Sequence, residues 1–376
     1  MMFKDTTEFR QAEGTRATPW LQRLHLDGPL LAGVLLLAGF GLIVLYSASG
    51  QNVAQVTAQA VRLAVAIVAM VVLAQFQPAT YRRWAVVGYG LGLALLLMVL
   101  IAGVTGKGAQ RWIYIGFRFQ PSEIMKIAVP LMAAAYLHTR PLPPSFRSLL
   151  MLLAIVAAPV LLIARQPDLG TAILIGASGC IVILLAGLRI RVILTLGGLL
   201  AAALPLIWAN MREYQKQRVL TLIDPQSDPL GAGYNIIQSK IAIGSGGLFG
   251  KGWTNGSQGQ LEYLPERNTD FIFAVIGEEF GLLGLTALIA LYLFVVGRGL
   301  YIASQAGDTF TRLLAGSLSL TFFIYVFVNT AMVTGLIPVV GVPLPLISYG
   351  GTSMVTLMGA FGILMSIHTR KRLLPR

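Results

Sequence analysis

Hydrophobic residues occur in long blocks separated by polar segments along most of the chain. A helix needs about 20 apolar residues to cross the hydrocarbon core of a membrane, which is about 30 Å thick. Ten blocks come close to this length, and each is predicted to form one membrane span. They cover residues 28–49, 56–76, 84–104, 122–138, 147–164, 170–188, 190–209, 271–297, 310–335 and 346–368. The pattern predicts an all-α polytopic membrane protein with about ten transmembrane helices.

The segments outside these blocks suggest how the chain is organised. Residues 1–27 are polar and have no apolar core, so we expect a short cytoplasmic N-terminal tail rather than a cleaved signal peptide. Residues 28–376 are expected to form a single integral membrane domain. Within it, residues 210–270 form the one long loop.

The basic residues indicate the orientation in the membrane. An even number of spans places both tails on one side, and basic residues beside span ends, such as Arg82, Arg83, Arg140 and Arg189, concentrate on that side. The positive-inside rule then predicts cytoplasmic N and C termini and an extracytoplasmic loop 210–270.

The composition supports the membrane class. The chain is 56% hydrophobic and 11% charged, whereas a soluble globular protein carries about 25% charged residues. The net charge of +13 is explained by basic cytoplasmic segments, so no nucleic-acid partner is expected. Cys180 is the only cysteine, which excludes an intramolecular disulfide, and we expect it to be a small buried residue.

One predicted span carries two charged residues. Glu123 and Lys126 are three positions apart, so they share one face of a helix. Charged groups at membrane depth are costly and mark functional sites, and we expect the pair to face protein or a wet cavity. A mutually paired structural couple is the alternative.

Asp270 immediately precedes the apolar run that begins at Phe271. This position suits a helix N-cap, where a carboxylate accepts backbone N–H bonds. However, no Glu or Gln follows at the position that a capping box requires, and Asn268 or Thr269 could cap equally well. Asp270 is therefore a candidate helix cap, a candidate catalytic carboxylate, or both.

Further candidates lie in the other predicted extracytoplasmic segments. Arg165 and Asp168 bracket Pro167 between two spans, which favours a tight turn with a local ion pair. Arg111 lies among aromatic residues typical of a membrane interface, and its guanidinium could equally bind a lipid phosphate. The Gly- and Pro-rich stretch 335–353 must be buried in protein or line a watery cavity, because its backbone cannot be regularly helical.

Several motifs of known chemistry are absent. The segment GSGGLFGKGW (244–253) fails the phosphate-loop pattern, because Ser245 and Gly252 stand where Gly and Ser or Thr are needed. The three histidines are too far apart in sequence and at the wrong membrane side for a metal site. We expect no organic cofactor, and the chemistry should rest on carboxylates, basic groups and a loosely held divalent cation.

Five motifs in this chain together resemble the SEDS family. They are FQPSEIMKIAVPL (119–131), RQPDLGTA (165–172), GSGGLFGKGW (244–253), LPERNTDFIFAVIGEEFG (264–281) and PLPLISYGGTS (343–353). They occur in the family's order and span nearly the whole chain. The wording of the first two is closer to the elongation branch than to the division branch, and no key charged position departs from the family pattern.

The resemblance implies a peptidoglycan glycosyltransferase that polymerises lipid II during cell elongation, on the outer face of the bacterial cytoplasmic (inner) membrane. It implies two kinds of partner: a class B penicillin-binding protein, bound through transmembrane helices, and other elongation-complex proteins. Asp270 matches the family's essential catalytic residue. Glu123 and Lys126 match its charged pair beside the central cavity.

The implied reaction assigns roles to the candidate residues. Asp270 is expected to be the general base for the acceptor hydroxyl. Lys126, Arg111 and Arg165 are candidates for neutralising the pyrophosphate leaving group, with Glu123 orienting Lys126.

Two further residues and a metal complete these expectations. Glu262 and Arg267 are expected to order the long loop over the site and so contribute to substrate binding. A divalent cation such as Mg²⁺ could assist, held by Glu123 or by Asp270.

Two other functions remain open. A lipid II flippase would place its substrate groups near the membrane midplane, often between inverted repeats, but the candidate residues cluster toward the predicted outer face and no repeat is visible. A non-catalytic scaffold of the wall-synthesis complex would leave Asp270 and the Glu123–Lys126 pair without a purpose. The pattern therefore favours an external enzyme.

Overall fold

The computed structural model of the chain describes residues 23–106, 109–114, 118–211, 213–228, 231–260 and 263–370. This part is mostly helical and contains almost no strand, so the predicted all-α membrane class is confirmed. Its helices, in chain order, are α1 (Gly28–Ala48), α2 (Val53–Ala74), α3 (Pro78–Ala102), α4 (Ser122–Leu137), α5 (Phe146–Arg165), α6 (Leu169–Leu185), α7 (Ile190–Asn210), α8 (Glu213–Ile223), α9 (Ala232–Ser245), α10 (Ser257–Gln260), α11 (Ile272–Ser304), α12 (Thr309–Val333) and α13 (Thr352–Thr369).

Each predicted span coincides with a helix, but the helices differ in length. Within the described residues seven of them, α1, α2, α3, α5, α11, α12 and α13, are long and apolar enough to cross a membrane. Helix α6 and residues Ile190–Leu206 of α7 are shorter apolar helices, and α4 has only 16 residues. The count of ten spans therefore stays a prediction.

Packing is densest around α12 and α13. Helix α12 contacts α4, α6 and α11, and α13 contacts α2, with side chains such as Phe310, Leu314 and Met358 almost fully buried. By contrast, α7 has no buried residue among its described side chains. The residues that connect the candidate site, described below, lie on one of these well-packed helices, α12.

A small β-sheet between α3 and α4 was not predicted. Its strands are β1 (Val104–Gly106), β2 (Ala109–Tyr114) and β3 (Arg118–Phe119), and β2 pairs antiparallel with both neighbours. The aromatic and β-branched residues of β2 favour a strand. However, the segment is short and adjoins an apolar block, so its hydropathy pattern is also that of a loop at the membrane interface.

The long loop folds back onto the bundle. Helix α9 lies against α11 and α12, and the Ser239 hydroxyl donates to the Val333 carbonyl at 2.8 Å. Gly246 approaches α11 so closely that a Cβ there would lie 2.0 Å from the Gly277 carbonyl oxygen. Gly277 of α11 is therefore in close contact with Gly246, at the end of α9, in the same chain.

Helix α11 is interrupted at Gly281, whose φ is 63° and ψ is −162°. This left-handed φ favours glycine. The segment 246–252 replaces the lost helical hydrogen bonds: the amide of Leu282 donates to the Gly247 carbonyl at 2.9 Å, and the amide of Gly252 donates to the Glu279 carbonyl at 3.0 Å. The segment that resembled a phosphate loop thus stabilises a break in a helix.

At the end of the bundle opposite this loop, Asp27 joins three helices. It caps α1 by accepting from the Leu30 amide at 2.9 Å. Arg298 of α11 donates to both of its carboxylate oxygens, at 3.0 and 2.7 Å, and His368 Nε2 of α13 lies 3.2 Å from Oδ2. Such bidentate pairing is among the stronger polar contacts in proteins.

The Asp27 cluster predicts a stability that depends on pH. Burial alone would raise the pKa of Asp27, but hydrogen bonds from Arg298 and the Leu30 amide hold that pKa below its ordinary value of 3.8. The stabilisation is therefore complete above about pH 4 and is lost as pH falls through the folded-state pKa. In melting curves of the detergent-solubilised protein, the advantage of wild type over Asp27→Asn should be full at pH 7 and shrink below pH 4. An advantage that is constant with pH would contradict this.

Cys180 lies on the exposed side of α6. The expectation of a buried cysteine is therefore wrong, because the helix turns this position away from its neighbours in the bundle.

Candidate functional site

One face of α12 connects the two groups of predicted site residues. Tyr325 and Asn329 are four positions apart, so they are neighbours on that face. The buried Asn329 side chain donates to the carbonyls of Asp270 at 2.8 Å and Val342 at 2.7 Å. The ammonium of Lys126 lies 4.9 Å from the ring centroid of Tyr325. The Asp270 segment and the charged pair are therefore about one helical turn apart along α12.

Asp270 is half-buried in a turn before α11. The amides of Thr269 and Phe271 both donate to the Glu266 carbonyl, at 3.0 and 3.3 Å. Because this turn continues through Phe271, the helix begins at Ile272 with Phe271 in the N-cap position. Asp270 therefore lies one residue before the N-cap position, and the helix-cap interpretation stays a prediction.

The stretch 335–353 holds the Asp270 turn in place. The Tyr349 amide donates to the Asn268 carbonyl at 2.8 Å, and the Ser348 hydroxyl donates to the Thr269 carbonyl at 2.5 Å. Most side chains from 344 to 348 are buried. The expectation that this irregular backbone is buried in protein is confirmed for these residues.

Gly341 lies beside the Asp270 carboxylate. A Cβ at this position would lie 3.5 Å from Asp270 Oδ2, and the φ of 73° favours glycine. The backbone of Gly341 therefore lies against the carboxylate, with no side chain of its own between them.

Glu123 and Lys126 form the predicted pair on α4. Lys126 Nζ donates to Glu123 Oε1 at 2.6 Å, and the residues are 5% and 8% exposed. Glu123 Oε2 is buried and has no hydrogen-bond partner among the described residues. Lys126 also borders a cavity of about 20 Å³ between α4, α12 and α13, which has room for about one water molecule. The pair is therefore enclosed by protein, and Lys126 also faces a small cavity.

Arg111 is paired with the start of α6. Its Nη1 lies 3.6 Å from Asp168 Oδ1, and Nη2 donates to the Pro167 carbonyl at 3.1 Å. Asp168 also caps α6 by accepting from the Thr171 amide at 3.3 Å. The ion pair predicted between Arg165 and Asp168 is therefore wrong, because Asp168 pairs with Arg111 from the β-sheet.

Arg165 is exposed at the end of α5. It borders a groove of about 380 Å³ between α3 and α5, and the other lining residues are Leu93, Leu97, Ala158, Leu161 and Leu162. A cation beside an apolar groove has the two features needed to bind a lipid that carries a phosphate.

Two predicted residues remain, Arg267 and Glu262. Arg267 lies in the segment just before Asp270, at the same end of the bundle. The guanidinium of Arg267 lies close to Gly50, in the turn between α1 and α2, at 3.9 Å from the position of a Cβ. Glu262 lies outside the described residues. The two were predicted to act together on the long loop, and that role stays a prediction.

The structure adds Arg62 of α2, which was not among the predicted residues. Its guanidinium carbon lies 4.5 Å from the ring centroid of Tyr349. The signal that could have found it is an arginine within the apolar block 56–76, because a charge at membrane depth marks a functional site.

A second addition is Glu278, which is fully buried beside the break in α11. Its carboxylate accepts from Lys251 Nζ at 2.7 Å and from the Gln258 amide at 3.0 Å. It therefore anchors the segment that follows α9. The sequence contains a signal for this residue, because Glu278 and Glu279 are consecutive charged residues inside the apolar block 271–297.

The described residues offer no ready metal site. Among them, no group of three or more His, Cys, Asp or Glu side chains could hold an ion. The ammonium of Lys126 at 2.6 Å from Glu123 would repel a cation, and Asp270 supplies a single carboxylate. The divalent cation stays a prediction without a defined set of ligands.

A helical bundle with apolar spans and a half-buried carboxylate at one end defines a membrane protein with a polar site at its surface. The chain matches a family model for FtsW, RodA and SpoVE, described as cell cycle protein, over residues 29–373. It belongs to this family, which is the SEDS family that its motifs resemble.

Relatives and solved structures agree with this family. The chain is 51% identical to peptidoglycan glycosyltransferase MrdB of Escherichia coli over 363 residues, which is 96% of this chain and 98% of MrdB. It resembles a chain of a peptidoglycan synthase complex that coordinates polymerization and crosslinking, with a TM-score of 0.79 and 32% identity over 91% of this chain and 97% of that one. Rod shape determining protein RodA of Thermus thermophilus has a TM-score of 0.69 and 28% identity, covering 91% and 96% of the two chains.

Proposed function

We propose that the chain is a peptidoglycan glycosyltransferase that polymerises lipid II on the outer face of the bacterial cytoplasmic membrane during cell elongation. The observation that carries this proposal is the position of Asp270. It is half-buried at the end of the bundle, held by Asn329 through its backbone, with the backbone of Gly341 beside its carboxylate. The identity with MrdB over nearly the whole chain supports the same activity.

Polymerisation joins a hydroxyl of one lipid-linked disaccharide to the anomeric carbon of another and expels a polyprenyl diphosphate. An inverting displacement of this kind needs no enzyme nucleophile, because the acceptor hydroxyl itself attacks. Asp270 accepts the proton of that hydroxyl, a contribution worth roughly a hundredfold to ten-thousandfold. Holding the two substrates in register supplies more.

The leaving diphosphate is already ionised, so fixed cations can stabilise it. Arg165 is the best placed of the three predicted cations, because it is exposed beside an apolar groove. The charge of Arg111 is largely offset by Asp168. Lys126 is buried and paired with Glu123, and its role is to shape the electrostatic field beneath the site.

Orientation and partner follow from the same proposal. The termini lie in the cytoplasm and the segments around Asp270 lie outside, as the basic residues beside the span ends favour. A class B penicillin-binding protein would cross-link the strands. The similarity to a chain from a complex that coordinates polymerization and crosslinking supports such a partner.

The test is a polymerisation assay on the purified full chain with its co-purifying partner. Labelled lipid II in detergent should yield glycan strands, read as a ladder on a gel. In parallel, the chain in vesicles should not equilibrate labelled lipid II between leaflets. Equilibration without polymer would favour the flippase, and neither activity would favour the scaffold.

A further inference from the structure

Helix α2 carries a positive charge at membrane depth. Arg62 is nine residues from the first residue of α2, Val53, which places it about 14 Å along the helix axis. Its neighbours Val61 and Leu63 are apolar. A charged residue at this depth is costly and normally faces protein or a water-filled space.

Arg62 belongs to a polar stripe on α2. Gln55, Gln59 and Arg62 stand at positions i, i+4 and i+7, which share one helical face. The Gln55 side-chain oxygen accepts from Asn268 Nδ2 at 3.2 Å. Gln59 Nε2 donates to the Ser348 carbonyl at 3.2 Å. The stripe therefore faces the two segments that surround Asp270.

The two glutamines account for the attachment of α2 to these segments. Gln59 makes a second bond, accepting from the Gly350 amide at 3.3 Å. A third neutral side chain on the stripe could attach α2 to these segments equally well, without placing a charge at membrane depth. The charge of Arg62 therefore needs another explanation.

The described residues around Arg62 do not neutralise its charge. Its guanidinium stacks on Tyr349, with the central carbon 4.5 Å from the ring centroid. A stacked guanidinium keeps its N–H donors in the plane of the fork, available to an anion. Among the described residues it has no carboxylate within ion-pair distance and no hydrogen-bond acceptor. Tyr349 itself is fixed by the Asn268 carbonyl at 2.8 Å.

The start of α13 lies against this side chain. A Cβ at Gly351 would be in ordinary van der Waals contact with Arg62, at 3.4 Å from its Cδ. Gly351 is also the N-cap of α13 and provides no side-chain cap. The positive end of the helix dipole adds to the charge of Arg62 and strengthens its attraction for an anion.

We propose that Arg62 binds the diphosphate of the polyprenyl-linked sugar donor and holds it beside the Asp270 turn. This inference rests on the proposed function for the identity of its substrate. The planar fork of a guanidinium matches two phosphate oxygens, as an ammonium does not. Arg62, on α2, is thus a substrate-binding residue in addition to Arg165, which lies at the end of α5.

The experiment compares wild type with Arg62→Met and Arg62→Lys, each as the full chain with its co-purifying partner. The KM for labelled lipid II and inhibition by a polyprenyl diphosphate are measured, with the matching polyprenol as an uncharged competitor. Arg62→Met should raise KM and weaken inhibition by the diphosphate by roughly 10- to 100-fold, the loss expected for a hydrogen bond to a charged group. Inhibition by the polyprenol should not change, and Arg62→Lys should recover part of the loss.

A matched control is Arg147→Met, which removes an exposed arginine at the opposite end of the bundle and should leave diphosphate inhibition unchanged. If Arg62→Met fails to fold, Arg62→Gln replaces it, because glutamine already occupies two positions of the stripe. A lower kcat with unchanged diphosphate inhibition would overturn the inference and make Arg62 a structural residue. If wild type binds polyprenyl diphosphate through Arg62 but makes no polymer, the proposed function fails while the diphosphate site stands.

Discussion

Asp270→Asn should abolish polymer formation, with a loss of roughly a hundredfold to ten-thousandfold in rate. Asparagine has nearly the same shape and cannot accept the proton of the acceptor hydroxyl. The backbone contact that places this residue, from Asn329 to the Asp270 carbonyl at 2.8 Å, is independent of the side chain. The rate should therefore fall without a comparable fall in stability. Glycan length on a gel and melting of the same preparation measure the two effects.

The matched control for this change is Asp308→Asn at the other end of the bundle. Asp308 caps α12 by accepting from the Thr311 amide at 2.7 Å, and asparagine is an equally good N-cap. This variant should polymerise at the wild-type rate. Polymer of wild-type length from Asp270→Asn would remove Asp270 from the reaction and leave it a structural residue of the turn.

The charged residues of the candidate site are visible in the sequence because each interrupts an apolar block or borders one. Glu123 and Lys126 stand inside a predicted span, and Asp270 stands at the edge of another. The rule that charges at membrane depth are functional needs no knowledge of the fold. The same rule also applies to Arg62, which was missed because the block 56–76 was judged by its overall hydropathy.

The contacts that assemble the site could not be read from local sequence. Asn329 and Asp270 are separated by 59 positions, and Asn329 is an uncharged residue within α12. Tyr325, which contacts Lys126, resembles any aromatic residue of a buried helix. Tyr325 and Asn329 are one helical turn apart on α12. Only the packing of α12 against α4 and α11 shows that they connect the charged pair to the Asp270 turn.

Local backbone geometry explains the other differences. Asp270 occupies a good sequence position for a helix cap, but the turn closed by the Glu266 carbonyl continues through Phe271 and delays the helix. The break at Gly281 depends on amide and carbonyl groups of 246–252. A hydropathy pattern carries no signal for such distant backbone contacts.

Lys126→Met should destabilise the protein by about 3–5 kcal/mol, because it leaves the Glu123 carboxylate buried without its counter-charge. Glu123 is 5% exposed, and its second oxygen already lacks a hydrogen-bond partner among the described residues. The double variant Glu123→Gln/Lys126→Met should regain most of that stability, since neither charge is then buried. Unfolding of each variant in detergent, compared with wild type, measures the effect.

The double variant also separates the two interpretations of the pair. Lys126 borders the small cavity beside Tyr325, about one helical turn from the segment that holds Asp270. If the charge of Lys126 stabilises the developing negative charge of the diphosphate, the double variant should recover stability but not polymerisation. Recovery of both would make the pair a structural couple. Since electrostatic contributions of this kind are strongest where water is excluded, we expect the activity to stay low.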